Sequence, residues 1–427
     1  MSAAIARGAE WAEVAARAPK FASMAEREAR LLELGPDTAA DARSLIGDAI
    51  RDSDQWILVG GPPCQAYSLV GRARNSGNAS YRPEKDKRQT LYVEYLQILA
   101  DHAPPAFIME NVKGLLSAKL KSQRLFERIV EDLGNPAAAI RREGRSTHRL
   151  NPRYDIHTLV QPAHLFAIDP TDYVVRSEQY GIPQRRHRIV LLGVRRDASV
   201  PSIQSLKQSS SRLTTTTALA GLPRLRSGIS DRSDSADEWI AVLHRMKRCH
   251  WMEDVDRDVR NEVHDALDRA RAPRANRGGE YLEAQPAPVL NHKTRGHIVE
   301  DLARYMFSSC FARVRGRSPR LDEFPSSILP LHKNVAKGIF SDRFRVQLGG
   351  EPSTTITSHI SKDGHYYIHF DPTQCRSLTV REAARLQTFP DDYFFCGPRT
   401  SQYQQVGNAV PPRLAEQIAS VVAGVIK

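Results

Sequence analysis

A cysteine, a glutamate and a run of arginines stand at three places where short apolar stretches stop. Trp56, Ile57, Leu58 and Val59 read as a short buried strand, and Gly60-Gly61-Pro62-Pro63 ends it, because proline cannot continue a central ladder and Gly-Pro pairs mark loops. Cys64 follows on a rigid loop just past that strand end, where open parallel α/β sheets gather their ligand chemistry. A thiol there becomes a nucleophile when neighbouring charge or backbone N–H groups lower its pKa; a lone cysteine is more often an inert structural side chain. Phe107, Ile108 and Met109 form a second short strand, left by the polar pair Glu110-Asn111. A carboxyl at such an exit can carry a raised pKa and hold or give a proton, or it can be a satisfied core glutamate. Gln184-Arg185-Arg186-His187-Arg188 leads into a third apolar run, residues 189–194, which reads as a strand buried on both faces. In an extended segment Gln184, Arg186 and Arg188 share one side, and two guanidinium groups aimed the same way are costly in a core without an anionic partner.

Five separated blocks select among these readings. They are G-G-P-P-C-Q-A-Y-S (60–68), M-E-N-V-K-G-L (109–115), Q-Y-G-I-P-Q-R-R-H-R (179–188), R-S-L-T-V-R-E-A-A-R-L-Q-T-F-P-D (376–391) and Q-V-G-N-A-V (405–410), and in this order they frame residues 48–427. On them the sequence resembles the DNA (cytosine-5) methyltransferase family. The resemblance implies an α/β fold, a doubly wound, mostly parallel, Rossmann-like sheet that uses S-adenosylmethionine as methyl donor, with a smaller target-recognition domain. It implies that Cys64 attacks C6 of a cytosine flipped out of duplex DNA. Glu110 would then protonate or hydrogen-bond N3, and Arg188, supported by Arg186, would bind O2. It further assigns the Pro62 carbonyl to the exocyclic amine, and Gln65 and Ser68 to the DNA backbone or the gap left by the base. Arg72 and Arg74, in a basic loop over residues 71–88 that closes on the target, would face phosphate. On the donor side it points to Asp48 for the adenine, Pro63 and Leu91 for the pocket lining, and the backbone at Asn408 and Ala409 for the donor's carboxylate.

Composition agrees with a polyanionic partner. The 427 residues carry a net charge of +12 and ordinary globular contents of apolar (41%) and charged (26%) residues. That length suits two domains. The 5 cysteines are scattered with no C-x-x-C spacing, which argues against a zinc site or a disulfide framework and for a reducing compartment. No apolar run approaches the ~20 residues a membrane helix needs, and no basic-then-apolar leader opens the chain, so the expected location is cytoplasmic.

The elements that must position these residues are then expected as follows. Residues 1–196 form the catalytic domain, 197–375 the target-recognition domain, and 376–427 a segment that returns to the catalytic sheet. Residues 1–50 suggest one or two surface helices, the second ending at Gly35-Pro36. Here the chain departs from the family, since the Gly-rich turn that cradles the donor's methionine part has no counterpart. Three accounts fit: a truncated chain, a split enzyme whose second polypeptide brings the loop, or a relic that has lost donor binding; the surviving catalytic residues weigh against the last. Residues 197–235 read as a linker, 237–271 as helical and 378–389 as a helix opened by a Thr379/Glu382 capping box. Pro411 and Pro412 open a last helix. Three alternatives stand beside the main reading: an RNA cytosine-5 methyltransferase, a catalytically incomplete DNA-binding subunit of a split methyltransferase, and a cysteine hydrolase. The long basic section after residue 200 favours a duplex reader over the first. The hydrolase lacks a histidine marked out to pair with Cys64.

Overall fold

The computed structural model describes residues 11–51, 53–63, 87–120, 123–147, 151–161, 169–198, 203–248, 250–270, 289–330 and 341–426. They fall into two compact units. One comprises residues 20–180, 187–208 and 414–427; the other comprises residues 1–19, 181–186 and 209–413.

The first unit is built on a sheet. Strand β1 (Ile57–Gly60) runs parallel to β2 (Ala106–Val112), with helix α1 (Lys87–His102) as the crossover between them. The long apolar strand β6 (His187–Arg195) lies antiparallel on the other side of β2. Its far edge is shared by two short antiparallel strands, β3 (Tyr154–His157) along Leu192 to Arg195 and β4 (Val174–Arg176) along His187 to Ile189. The described sheet is therefore mixed, with its parallel pairing at β1 and β2 and antiparallel pairing around β6. The run Ile189–Val194 is buried throughout, as its unbroken apolar sequence requires of a strand covered on both faces. Tyr95, Leu96 and Leu99 of α1 pack on Phe107 and Met109 of β2. Helix α2 (Leu125–Gly134) adds Phe126, Ile129 and Leu133 to the same core. Phe107 stands edge-on to Tyr95 and Tyr154, with ring centroids 6.2 and 5.1 Å apart.

The second unit is mostly helical. Residues 237–271, read from the sequence as one helical stretch, form α3 (Ala236–Arg248) and α4 (Arg257–Ala270), and α5 (Val299–Arg315) packs with them over Trp239, Val242, Leu243, Val263, Met306 and Phe307. The short strand β5 (Gln184–Arg185) pairs in parallel with β7 (Ser353–Thr354). Helix α6 (Val380–Leu386) is shorter than the expected 378–389 but opens on the expected capping box: Glu382 N–H donates to Thr379 Oγ1 at 3.2 Å, and Thr379 N–H donates to Glu382 Oε2 at 2.7 Å. The same carboxylate takes two hydrogen bonds of 2.6 Å from Arg376, with both side chains almost fully buried. Burial alone would raise the Glu382 pKa; the charge and hydrogen bonds of Arg376 overcome that and hold it well below the usual carboxylate range.

One expectation is corrected. Residues 29–34 do not continue the second N-terminal helix, which closes at Glu28, and Leu31 is fully exposed. The segment 376–413 clusters with 209–375, and the two share a core of Leu219, Ile356 and Ile360 with Leu378, Leu386 and Val406. The return to the sheet unit begins only at Leu414, in helix α8 (Pro412–Ala423), where Gln417 donates to the Tyr180 carbonyl at 3.0 Å.

Among its described residues the helical unit also buries His297, His365 and His369 and half-buries His292. Burial pushes His297 down to about 3 and His369 to about 4, and lowers His292 and His365 as well. Folded values below the unfolded value of ~6.5 mean that the unfolded chain binds the extra protons, so the stabilisation is complete above pH ~7 and is lost as pH falls. We predict a urea midpoint, read from the fluorescence of buried Trp239 and Trp251, that is flat from pH 8 to 7. It then drops toward pH 5, with a limiting slope of about 1.4 kcal/mol per pH unit for each proton taken up. A midpoint unchanged to pH 5 would contradict this.

Candidate active site

The pairing of β2 with β6 sets the first element of the site. Val112 lies opposite Arg188, and Glu110 is two residues before Val112, so by the period of two Glu110 and Arg188 share a face as diagonal neighbours. Arg188 Nε lies 2.8 Å from Glu110 Oε1, with the two side chains 16% and 23% exposed. Arg188 Nη1 also donates to the His187 carbonyl at 2.9 Å, so the guanidinium is held from its own strand as well as by the carboxylate. Burial lowers the Arg188 pKa from its ordinary value, and Glu110 opposes the shift. The anionic partner that buried guanidinium chemistry demands is thus Glu110.

The second element is the loop leaving β1. A Cβ on Gly60 would lie 2.5 Å from the Tyr95 ring, so only glycine lets the strand end pass that ring. Tyr95 in turn donates to the Ile108 carbonyl at 3.1 Å. A Cβ on Gly61 would sit 3.4 Å from Glu110 Oε2, so the loop backbone runs directly along the carboxylate. Asn111 Nδ2 donates to the Pro62 carbonyl at 2.9 Å, and the Asn111 Oδ1 accepts from the Val112 N–H at 2.9 Å. Asn111 thus ties the loop to the end of β2. Sequence reasoning missed the roles of Tyr95 and Asn111; the signal was the Gly-Gly doublet, which marks close approach of backbone to a neighbour.

The remaining predicted residues divide. Cys64, Gln65, Ser68, Arg72 and Arg74 lie outside the described residues. Pro62, assigned by its carbonyl to the exocyclic amine, has that oxygen engaged by Asn111. Pro63 and Leu91 are half-buried in the sheet unit, at the loop after β1 and in the first turns of α1. Arg186, expected to support Arg188, instead donates from Nη1 to the carbonyls of Ile356 (3.0 Å) and Gly407 (3.2 Å), within the helical unit. These two bonds fix Arg186 within the helical unit. Asp48 sits in the last turn of a helix, Ala39–Ile50, exposed and ion-paired with Arg51. Asn408 ends helix α7 (Arg399–Asn408) and Ala409 is its C-cap. Val410 separates that C-cap from Pro411 and Pro412, which open α8. Pro63 stands just past the carboxyl end of β1, where ligands of open α/β sheets bind.

Residues 37–136 and 171–423 match the family described as C-5 cytosine-specific DNA methylase. The chain belongs to that family. Type II methyltransferase M.Bpa9945I of Bacillus paralicheniformis is 33% identical over 400 residues, which cover 91% of this chain and 76% of that protein. Type II methyltransferase M.DdeI of Desulfomicrobium norvegicum is 28% identical, covering 88% and 74%. The DNA (cytosine-5-)-methyltransferase M.ApeKI of Aeropyrum pernix is 26% identical, covering 92% and 87%. Among solved structures, the S. pombe Dnmt2 methyltransferase is 11% identical with a TM-score of 0.37, covering 92% and 83%. Among the described residues no cluster of His, Cys, Asp and Glu could hold a metal ion, and no helix is long and apolar enough to cross a membrane.

If Asn111 holds the methylase loop in place, Asn111→Ala should cost about 0.5–1.5 kcal/mol of stability by removing its hydrogen bond to the Pro62 carbonyl. It should also lower kcat by more than the affinity for DNA falls. Equilibrium unfolding together with steady-state methyl transfer checks both; unchanged kcat in a destabilised variant would assign Asn111 a purely structural role.

Proposed function

We propose that this methylase transfers a methyl group to C5 of cytosine in duplex DNA, at specific sequences, as the modification enzyme of a restriction-modification system. The observation that carries the reading is the Glu110–Arg188 pair at the end of β2, bordered by the loop that leads in sequence to Cys64. The restriction-modification setting follows the type II methyltransferases that cover most of the chain.

Cytosine C5 is a weak nucleophile until a nucleophile adds at C6. In this reading the Cys64 thiolate forms the bond to C6, and the ring electrons move toward N3 and O2. Glu110 donates a proton to N3 as the negative charge grows there. Arg188 has guanidinium N–H groups for O2, placing a positive charge where the negative one grows. The resulting enamine carbon, C5, takes the methyl group. Loss of the C5 proton then expels Cys64 and restores the aromatic ring. S-adenosylmethionine, when bound, supplies the electrophilic methyl; Pro63 and Leu91 would line its pocket. The reacting carbon is shielded inside a stacked duplex, so the base must flip out to reach these groups.

The test is transfer of labelled methyl from S-adenosylmethionine to mixed-sequence duplex DNA. Cys64→Ser should abolish label in 5-methylcytosine. Glu110→Gln and Arg188→Lys should each lower kcat by on the order of a hundredfold with DNA affinity retained, the loss typical of one transition-state donor. Label transferred equally by Cys64→Ser would refute the mechanism. A parallel assay with an added fragment bearing a Gly-rich loop asks whether a second polypeptide assists donor binding; a gain in donor affinity would reveal one.

A further inference from the structure

Within the helical unit lies a cleft of about 400 Å³ that the chemistry above does not use. Arg185 and Arg345 stand in its wall, with Thr354, Thr355, Thr357, Tyr366 and Tyr367 between them. The hydroxyls are committed inward. Thr355 Oγ1 donates to the Arg185 carbonyl at 2.6 Å, and Thr354 Oγ1 donates to Gln347 Oε1 at 3.0 Å. The Tyr367 hydroxyl donates to the Thr355 carbonyl at 3.3 Å and lies 2.8 Å from Thr357 Oγ1. These bonds stiffen the wall, and they leave few donors with which to read a base edge.

The two guanidinium groups are the cleft's main outward chemistry. They are 42% and 36% exposed and paired with Glu351 and Asp342, themselves 38% and 55% exposed. Exposed pairs of that kind are worth only ~0–1 kcal/mol, so they exchange readily for a stronger anion. Arg345 is also steadied over the Tyr366 ring, 5.5 Å from its centroid. Two arginines about a rigid cleft, their carboxylate partners solvent-exposed and Glu351 shared with Arg212, match a phosphate diester, which takes planar, forked donors well.

We propose that Arg185 and Arg345 clamp a backbone phosphate of the DNA in this cleft, positioning the duplex without reading its sequence. The proposal rests on the DNA methyltransferase reading and adds to it a phosphate contact borne by the segment that, three residues later, supplies Arg188. It separates the roles of adjacent residues: Arg185 binds substrate, Arg186 holds backbone and Arg188 serves the reacting base.

The experiment measures binding of the full chain to a mixed-sequence 30-base-pair duplex across a salt series. It compares wild type, Arg185→Ala/Arg345→Ala and Arg185→Lys/Arg345→Lys, each first shown to melt cooperatively near the wild-type temperature. The alanine pair should weaken binding by about tenfold or more at moderate salt and reduce the slope of log K against log salt by about 1 to 2, equally on unrelated sequences. The lysine pair should keep most of the slope, because it keeps the charge. A folded alanine pair with wild-type affinity and slope would overturn the clamp while leaving the methyltransferase reading intact. Equal loss in the lysine pair would also overturn it, by showing that charge is not what the cleft supplies. Wild-type protein that shows no salt-dependent DNA binding would overturn both.

Discussion

A carboxylate at the exit of an apolar strand cannot stay there alone, and the sheet unit is arranged around that constraint. Glu110 follows four buried residues of β2, and Arg188 on the antiparallel neighbour β6 answers its charge at 2.8 Å. The register that brings them together is fixed by burial: a slip of one residue would turn the whole 189–194 run over, and would turn Arg188 away from Glu110 with it. The apolar length of β6 is therefore part of the active site, since it sets which face Arg188 takes. The loop after β1 depends on the same strand end. Its glycines clear the Tyr95 ring and run along the Glu110 carboxylate, and Asn111 ties down the Pro62 carbonyl.

The helical unit solves a similar problem in another way. Arg376 and Glu382 are both nearly fully buried, and breaking such a pair leaves an uncompensated charge worth roughly 3–5 kcal/mol. Glu382 also caps α6, so one carboxylate joins helix start, buried cation and His369, whose ring lies 3.5 Å away. The sequence R-S-L-T-V-R-E therefore encodes a packing device. The block Gln184 to Arg188 is divided between the two jobs. Gln184 and Arg186 bind backbone and side-chain groups of the helical unit, whereas Arg188 belongs to the sheet.

How much of this was legible in the sequence depended on whether local pattern or distant partners decided the outcome. The strands at 57–60, 106–112 and 187–195 were visible because uninterrupted apolar runs have few other uses. The capping box was visible because its two partners are three residues apart. Glu110 and Arg188 were visible as charges beside buried strands. The carbonyl partners of Arg186 were not legible, because the two-residue alternation says which side a residue takes and nothing about what waits there; Ile356 and Gly407 lie 170 and 221 residues away. A short motif match likewise does not reveal that Asp48 is exposed in the last turn of a helix and that Asn408 ends one. The grouping of residues 181–186 with 209–413 depends on equally distant contacts, among them those of Gln184.

The central claim is that Cys64, Glu110 and Arg188 activate the cytosine ring itself. Release of tritium from duplex DNA labelled at cytosine C5 tests it most directly, because the C5–H bond breaks only after C6 has been attacked and C5 has taken a new substituent. Wild-type protein with S-adenosylmethionine should release tritium in step with methylation. Release should vanish in Cys64→Ser and fall on the order of a hundredfold in Glu110→Gln, the scale of one lost transition-state contact. Release at the wild-type rate in Glu110→Gln, or no release from a wild-type protein that methylates DNA, would contradict the account.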